Sequence, residues 1–108
     1  MSDRRKHDRE ICYAKCMIDK VPGYVRDISR SGMRVDLISR PGTGERQKAS
    51  CEIIPDPATG IPDFDLSVTV RWTRMDRLYF SLGAEISELD PSYAAAFDEL
   101  MRYYAQPE

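Results

Sequence analysis

The chain has 108 residues and a mass of 12.4 kDa, enough for one domain with a modest core and too little for two. Hydrophobic residues make up 42% and charged residues 31%, which is typical of folded rather than disordered proteins. The net charge of −2 argues against a general DNA or RNA binder, because such a protein needs a basic face that displaces many phosphate counterions.

No apolar run approaches the roughly 20 residues that cross a bilayer, and the N-terminus lacks the apolar stretch of a secretory signal. The sequence therefore predicts a cytoplasmic protein without membrane insertion. Cys12, Cys16 and Cys51 are an odd number, without CxxC spacing or the histidines of a zinc site. We expect them to be reduced and mostly buried thiols.

The positive charge is concentrated at the start of the chain, in Arg4-Arg5-Lys6-His7-Asp8-Arg9. Residues 1–10 contain no hydrophobic residue after Met1, so we expect a flexible basic arm when no ligand is bound. The planar donors of a guanidinium group suit phosphate oxygens or the O6/N7 edge of guanine. Taken alone, such an arm would be interpreted as a solubilising tail, and only the second motif, described below, favours a binding role.

Residues 11–104 predict short strands followed by one helix. Six segments are predicted to be strands: residues 11–18, 24–28, 33–37, 49–54, 64–72 and 78–86. Apolar and polar residues alternate in four of them, residues 11–18, 33–37, 64–72 and 78–86. A turn at residues 74–77 should pair the last two strands antiparallel. Turn residues at 19–23, a loop at 39–48 and a proline-rich connection at 55–62 separate the others.

The end of the chain predicts a helix at about residues 91–104. Asp90 suits the N-cap, and Pro91 suits the first helical position, where its missing N–H costs nothing. Apolar residues fall on one face at helical spacing: Tyr93, Phe97, Leu100, Met101 and Tyr104. We expect this face to pack on the protein's own core, although an aromatic stripe could instead recruit a partner.

A polar cluster, Asp27-Ile28-Ser29-Arg30-Ser31-Gly32, lies at the end of the second predicted strand. Asp27 can accept hydrogen bonds from the N1–H and N2–H₂ donors of guanine, and Ser29 can donate or accept. Gly32 permits a turn or a close backbone approach. Being two residues apart, Asp27 and Ser29 can project to the same side of one rim.

The basic arm and the polar cluster, in this order and separated by residues 10–26, resemble the two motifs of the PilZ family, RxxxR and [D/N]xSxxG. Arg5-Lys6-His7-Asp8-Arg9 fits the first, and Asp27-Ile28-Ser29-Arg30-Ser31-Gly32 fits the second. The resemblance implies a mainly β fold, a small antiparallel six-stranded PilZ-type barrel with a C-terminal α-helix. It also implies that the ligand is the bacterial second messenger cyclic di-GMP, with no cofactor.

The resemblance assigns roles to the motif residues. Arg5 and Arg9 would clamp phosphate and stack on or hydrogen-bond a guanine, while Asp27 and Ser29 would take polar edges of the ligand. Gly32 would keep the turn open. In the family, an arginine at the position of Arg4 is associated with a self-intercalated pair of cyclic di-GMP molecules.

Arg34 and Trp72 are further candidates for the same site. Arg34 adds a donor beside the second motif. Trp72 continues the apolar phase of its strand, which favours core packing, yet a tryptophan at a strand end could stack on a base.

An enzyme is disfavoured, because the serines lack a neighbouring histidine and acid and no cysteine has a nucleophile's setting. The alternative within the family is a protein-interaction module that regulates motility or pili without binding nucleotide. In the receptor interpretation, the arm would fold over the barrel and change the surface shown to an unidentified effector protein.

Overall fold

The structure is a computed structural model that describes residues 14–104. Six antiparallel strands form a closed barrel in the order β1-β2-β3-β6-β5-β4, in which β4 pairs with β1. The strands are β1 Lys15–Ile18, β2 Val21–Ile28, β3 Gly32–Leu37, β4 Lys48–Ile54, β5 Phe64–Met75 and β6 Phe80–Glu88. A 3-10 turn at Pro91–Tyr93 leads into helix α1, Ala94–Tyr104. The predicted fold class is confirmed.

The barrel interior is apolar because the strands alternate as their sequences predict. Val25, Val35, Val68 and Leu82 come from four different strands and are fully buried. The burial of such side chains, at about 1.5–3 kcal/mol each, is the main stabilising term of a small barrel.

Helix α1 closes one end of the barrel with the face that the sequence predicts. Phe97 and Leu100 are buried, and the ring of Phe97 meets Phe64 of β5 edge-on, with a centroid distance of 6.3 Å. Asp90 caps the preceding 3-10 turn by accepting a hydrogen bond from the Ser92 N–H at 2.9 Å, and this bond lowers the pKa of Asp90. The apolar face is therefore used by the protein's own core.

The first hairpin is tighter than predicted. Asp19 and Lys20 alone form the turn, because both adopt positive φ angles of 52° and 66°. Pro22 and Gly23, expected in the turn, instead lie in β2 opposite Met17 and Cys16. A Cβ at Gly23 would overlap the backbone of β3, so glycine is needed there for strand approach rather than for turning.

Several predictions fall outside the described residues. These concern the basic arm with Arg4, Arg5 and Arg9, the first residues of the predicted first strand, Cys12, and the side chain of Tyr104 on the predicted helix face. Cys16 and Cys51 are free and buried, as expected. A hydrogen bond with Cys16, together with burial, raises the pKa of the Cys51 thiol. Within residues 14–104, no helix is both long and apolar enough to span a membrane.

Candidate functional site

A β-bulge turns Asp27 to the outside of the barrel. Val25 pairs with Val35, but the next pair is Asp27 with Arg34, which leaves Arg26 as the extra residue of β2. Without this insertion, Asp27 would lie opposite the buried Met33 and face the core. Bulges commonly re-aim a side chain in this way next to functional sites.

A bulge in β5 turns Trp72 to the outside of the barrel in the same way. Val70 pairs with Ala84 and Trp72 with Gly83, so that Arg71 is the extra residue. The expectation that Trp72 packs in the core is therefore wrong. Its side chain lies on the outer face and is 38% exposed, because the inserted residue reverses the alternation that holds from Phe64 to Val70.

The indole of Trp72 occupies the space that a side chain at position 83 would fill. A Cβ built on Gly83 would overlap the indole ring, so only glycine allows the ring to lie in this place against β6. Gly83 was not identified from the sequence. The available signal was a glycine in the middle of a predicted strand, which often marks a close approach.

Together the bulges create one cross-strand row on the outer face, the Asp27–Trp72 row. Asp27 of β2 lies opposite Arg34 of β3, Arg34 opposite Gly83 of β6, and Gly83 opposite Trp72 of β5. Three inter-strand spacings separate its ends, or about 14 Å. A carboxylate, a guanidinium group and an indole thus share one surface.

Arg34 occupies the middle of the row and is only partly neutralised. Its Nε atom lies 3.5 Å from Oδ2 of Asp27 and is buried without a hydrogen bond within the described residues. About a third of the Arg34 side chain is exposed, and nearly half of the Asp27 side chain. Both charged groups therefore remain accessible to a bound molecule.

The loop before β4 stabilises the bulge that carries Trp72. The N–H of Arg46 donates to the Val70 carbonyl at 2.6 Å, and the N–H of Val70 donates to the Gln47 carbonyl at 3.0 Å. The Glu45 carboxylate accepts from the Thr73 N–H at 3.2 Å. A loop predicted only as a connection thus supplies backbone partners beside the bulge.

The Ser29 side chain holds the turn between β2 and β3. Its hydroxyl oxygen accepts from the N–H groups of Gly32 at 3.3 Å and Ser31 at 3.4 Å, and the Ser29 N–H donates to the Gly32 carbonyl at 2.7 Å. Ser29 is exposed and lies next to the strand that carries Asp27. Its contacts within the described residues are those of a turn-forming side chain.

Gly32 is needed for packing as the first residue of β3. A Cβ at this position would lie 2.8 Å from the carbonyl oxygen of Ala84 on β6, which is too close for any side chain. Gly32 thus has a role in the approach of two strands, and its expected role of keeping the turn open stays a prediction.

The turn is also tied to the C-terminal helix. Arg30 of the second motif forms an ion pair with Asp98 of α1 at 3.1 Å. Both side chains are well exposed, and such a pair contributes about 0–1 kcal/mol. It places the helix surface beside the second motif.

A second row lies next to the first. Tyr24 pairs with Asp36, Asp36 with Ser81, and Ser81 with Arg74. Asp36 is buried and accepts from the Ser81 hydroxyl at 2.7 Å and from Arg26, the bulge residue, at 2.6 Å. Its carboxylate is thus used within the protein, in a contact that the sequence did not reveal.

The charge of this face is nearly balanced. Arg26, Arg34 and Arg74 contribute three positive charges, against two negative charges from Asp27 and Asp36. One net charge is a weak attraction for the predicted ligand with its two phosphates, so that prediction depends on additional cations. The predicted donors for this purpose are Arg4, Arg5 and Arg9, which lie outside the described residues.

A groove away from the Asp27–Trp72 row is a poor alternative site for an anion. It has a volume of about 800 Å³ and lies between the start of β5 and the connection to α1. Its lining includes Asp65, Glu88 and Asp90, and contains none of the predicted site residues. Three carboxylates would repel a phosphate-bearing ligand.

Comparisons with known proteins agree with this architecture. The model of the PilZ domain family matches residues 3–105. A search of curated proteins found no match. Among solved structures, the chain is similar to the Bacillus subtilis inhibitor of motility, MotI/DgrA, with 18% sequence identity and a TM-score of 0.65. The match covers 83% of this chain and 44% of the other, so the chain spans less than half of that protein's length.

Proposed function

The chain belongs to the PilZ domain family, and on this premise we propose that it is a cyclic di-GMP receptor that acts as an adaptor in bacterial second-messenger signalling. The observation that carries the proposal is the Asp27–Trp72 row. It joins the second family motif to an exposed aromatic ring on a strand distant in sequence. The proposal includes a cytoplasmic location and a binding role without catalysis.

Each chemical group of the row suits one part of a cyclic dinucleotide. The Asp27 carboxylate can accept the N1–H and N2–H₂ donors of a guanine, which adenine lacks in that arrangement. The Arg34 guanidinium can donate to a phosphate or a base edge. The Trp72 indole can stack on a base if the Arg74 guanidinium, which lies 5.8 Å from the ring centre, moves aside, and base stacking on an aromatic ring contributes about 1–3 kcal/mol.

The arm supplies the charge that the row lacks. In the proposed complex, Arg5 and Arg9 clamp the ligand from above the barrel face, and Arg4 engages the second molecule of an intercalated pair. Closure of the arm then changes the surface presented to an effector protein. The similar structure is that of an inhibitor of motility, so the motility machinery is a reasonable process in which to seek that effector.

Calorimetric titration of the full chain with cyclic di-GMP, cyclic di-AMP and GTP tests the proposal. We expect binding of cyclic di-GMP with clear preference over the other two, and an affinity that falls with added salt because the contacts are charge-assisted. Amide exchange in residues 1–10 should slow when the ligand is added. Absence of cyclic di-GMP binding by a folded protein would favour the interaction module that works without nucleotide.

A further inference from the structure

An exposed apolar surface lies at the end of the barrel where β5 and β6 are joined. Four large apolar side chains are exposed there, and we call them and the arginines beside them the hairpin patch: Ile38, Met75, Leu78 and Tyr79, with Arg40, Arg74 and Arg77. Ile38 is 65% exposed, Met75 62% and Leu78 77%. Large apolar side chains exposed at the same end of a domain and rimmed by polar ones often mark interaction surfaces in soluble proteins.

Strand register brings these residues together from separate segments. Leu37 and Met75 both pair with Phe80, one on each side of β6. Ile38 directly follows Leu37 in the chain, and Tyr79 directly precedes Phe80. The Asp76 N–H closes the hairpin between β5 and β6 by donating to the Tyr79 carbonyl at 2.8 Å. The patch is therefore a surface of three adjacent strand ends rather than a single projecting loop.

The charge of the patch is positive and unneutralised. Arg26, Arg30, Arg34 and Arg71 each form an ion pair, whereas Arg40, Arg74 and Arg77 form none with a carboxylate in the described part of the chain. Asp76 is the single acid within residues 38–40 and 74–79. In a protein with a net charge of −2, this is a local concentration of unpaired cations.

Two of the arginines are held in place by aromatic rings. The Arg40 guanidinium carbon lies 5.3 Å from the centre of the Phe80 ring, and that of Arg74 lies 5.8 Å from the Trp72 ring. Cation–π contacts at these distances contribute about 0.5–1 kcal/mol at exposed sites. They present the forked donors at the edge of the apolar surface without using up their hydrogen-bonding capacity.

We propose that the hairpin patch binds an acidic segment of a partner protein, one that alternates carboxylates with leucine or aromatic side chains. The apolar residues would contact the patch, and the carboxylates would pair with the three forked guanidinium groups. An anionic membrane is the less suitable occupant, because lipid-binding segments carry about four to eight cationic residues and this surface carries three. The patch is defined without reference to a ligand on the Asp27–Trp72 row.

A random peptide library displayed on phage provides the test, with the full chain as bait and no cyclic di-GMP present. We expect the enriched peptides to combine aspartate or glutamate with leucine or phenylalanine. Anisotropy titration of the best labelled peptide should show at least about tenfold weaker binding to Leu78→Ser and to Arg77→Glu. Both residues are exposed, so unfolding profiles should be unchanged.

Lys15→Glu is the matched control, since it makes the same charge change on an exposed residue of β1 and should leave peptide affinity unaltered. Enriched peptides without acids, no enrichment at all, or equal affinity for Leu78→Ser would overturn the proposal. So would sedimentation with phosphatidylglycerol vesicles that is lost in Leu78→Ser, since that result would assign the patch to a membrane. Because no nucleotide is added, these outcomes do not depend on cyclic di-GMP binding.

Discussion

The indole of Trp72 lies on the backbone of Gly83, in the position that any side chain at residue 83 would occupy. The two residues are neighbours only because Arg71 is an extra residue in β5. This contact fixes the ring on the same surface as Arg34 and Asp27, and it can be broken by adding a single methyl group.

Gly83→Ala should displace the Trp72 ring from the barrel face and weaken cyclic di-GMP binding about 5- to 150-fold, the value of one lost stacking contact. Trp72 is the only tryptophan, so its fluorescence emission should shift to the red as the ring enters solvent. Gly42→Ala is the control, because its Cβ would meet no atom closer than 3.7 Å. Unchanged emission in a folded Gly83→Ala protein would contradict the contact.

Arg5→Ala and Arg9→Ala should each abolish most cyclic di-GMP binding while the barrel stays folded. The expected loss is about 2–4 kcal/mol, or about 30- to 1,000-fold in affinity, because each change removes charge-assisted hydrogen bonds. Calorimetry measures the loss, and thermal unfolding checks the fold. Lys6→Ala removes the same charge at a position between Arg5 and Arg9, and it should lower the affinity less. Unchanged affinity in Arg9→Ala would remove that residue from the site.

Asp27→Ala should weaken the binding of cyclic di-GMP more than that of cyclic di-AMP, because the carboxylate accepts from donors that guanine has and adenine lacks. It also removes the acid beside Arg34, so a general change in charge must be separated from base recognition. Asp63→Ala, at an exposed acid outside the row, makes the same charge change and serves as control. Equal losses for the two dinucleotides would argue against a guanine reader.

Arg4→Leu should shift the stoichiometry toward one cyclic di-GMP per chain with only a modest loss of affinity. A stacked pair of ligands presents more phosphates and bases, so a third guanidinium group gains a partner that a single ligand does not offer. Titration of protein whose active concentration has been measured independently gives the number of cyclic di-GMP molecules bound per chain. Saturation of the unmodified chain at one molecule would refute the paired mode and leave the receptor proposal intact.

Gly32→Ala should lower stability by about 1–3 kcal/mol, since its Cβ would press on the Ala84 carbonyl and force β3 away from β6. Denaturant unfolding without ligand measures the change directly. Gly44→Ala, where a Cβ would approach the Gln47 side chain at 3.6 Å, should have little steric cost. A fully stable Gly32→Ala protein would leave ligand contact as the only reason for glycine at this position.

The sequence determined the elements and the polar turn of this protein. Alternation in residues 64–70 predicted the core face of β5, and Asp90-Pro91 predicted the start of the terminal helical segment, because both signals depend on residues close together in the chain. The Asp27 to Gly32 cluster was likewise visible as a local motif. The turn in this cluster is held by the Ser29 hydroxyl oxygen, which accepts hydrogen bonds from the N–H groups of Ser31 and Gly32.

Only the tertiary structure decided which side chains face outward beyond the bulges. Arg26 and Arg71 are inserted because β3 and β6 pair with their neighbours in a register that closes the barrel, and the backbone partners of the β5 bulge come from Arg46 and Gln47 in a distant loop. The alternation of apolar and polar residues within one strand does not depend on these pairings. Extended from Val70 to Trp72, it therefore favoured a core position for the indole. A bulge is a property of two strands, and a single strand's sequence cannot specify it.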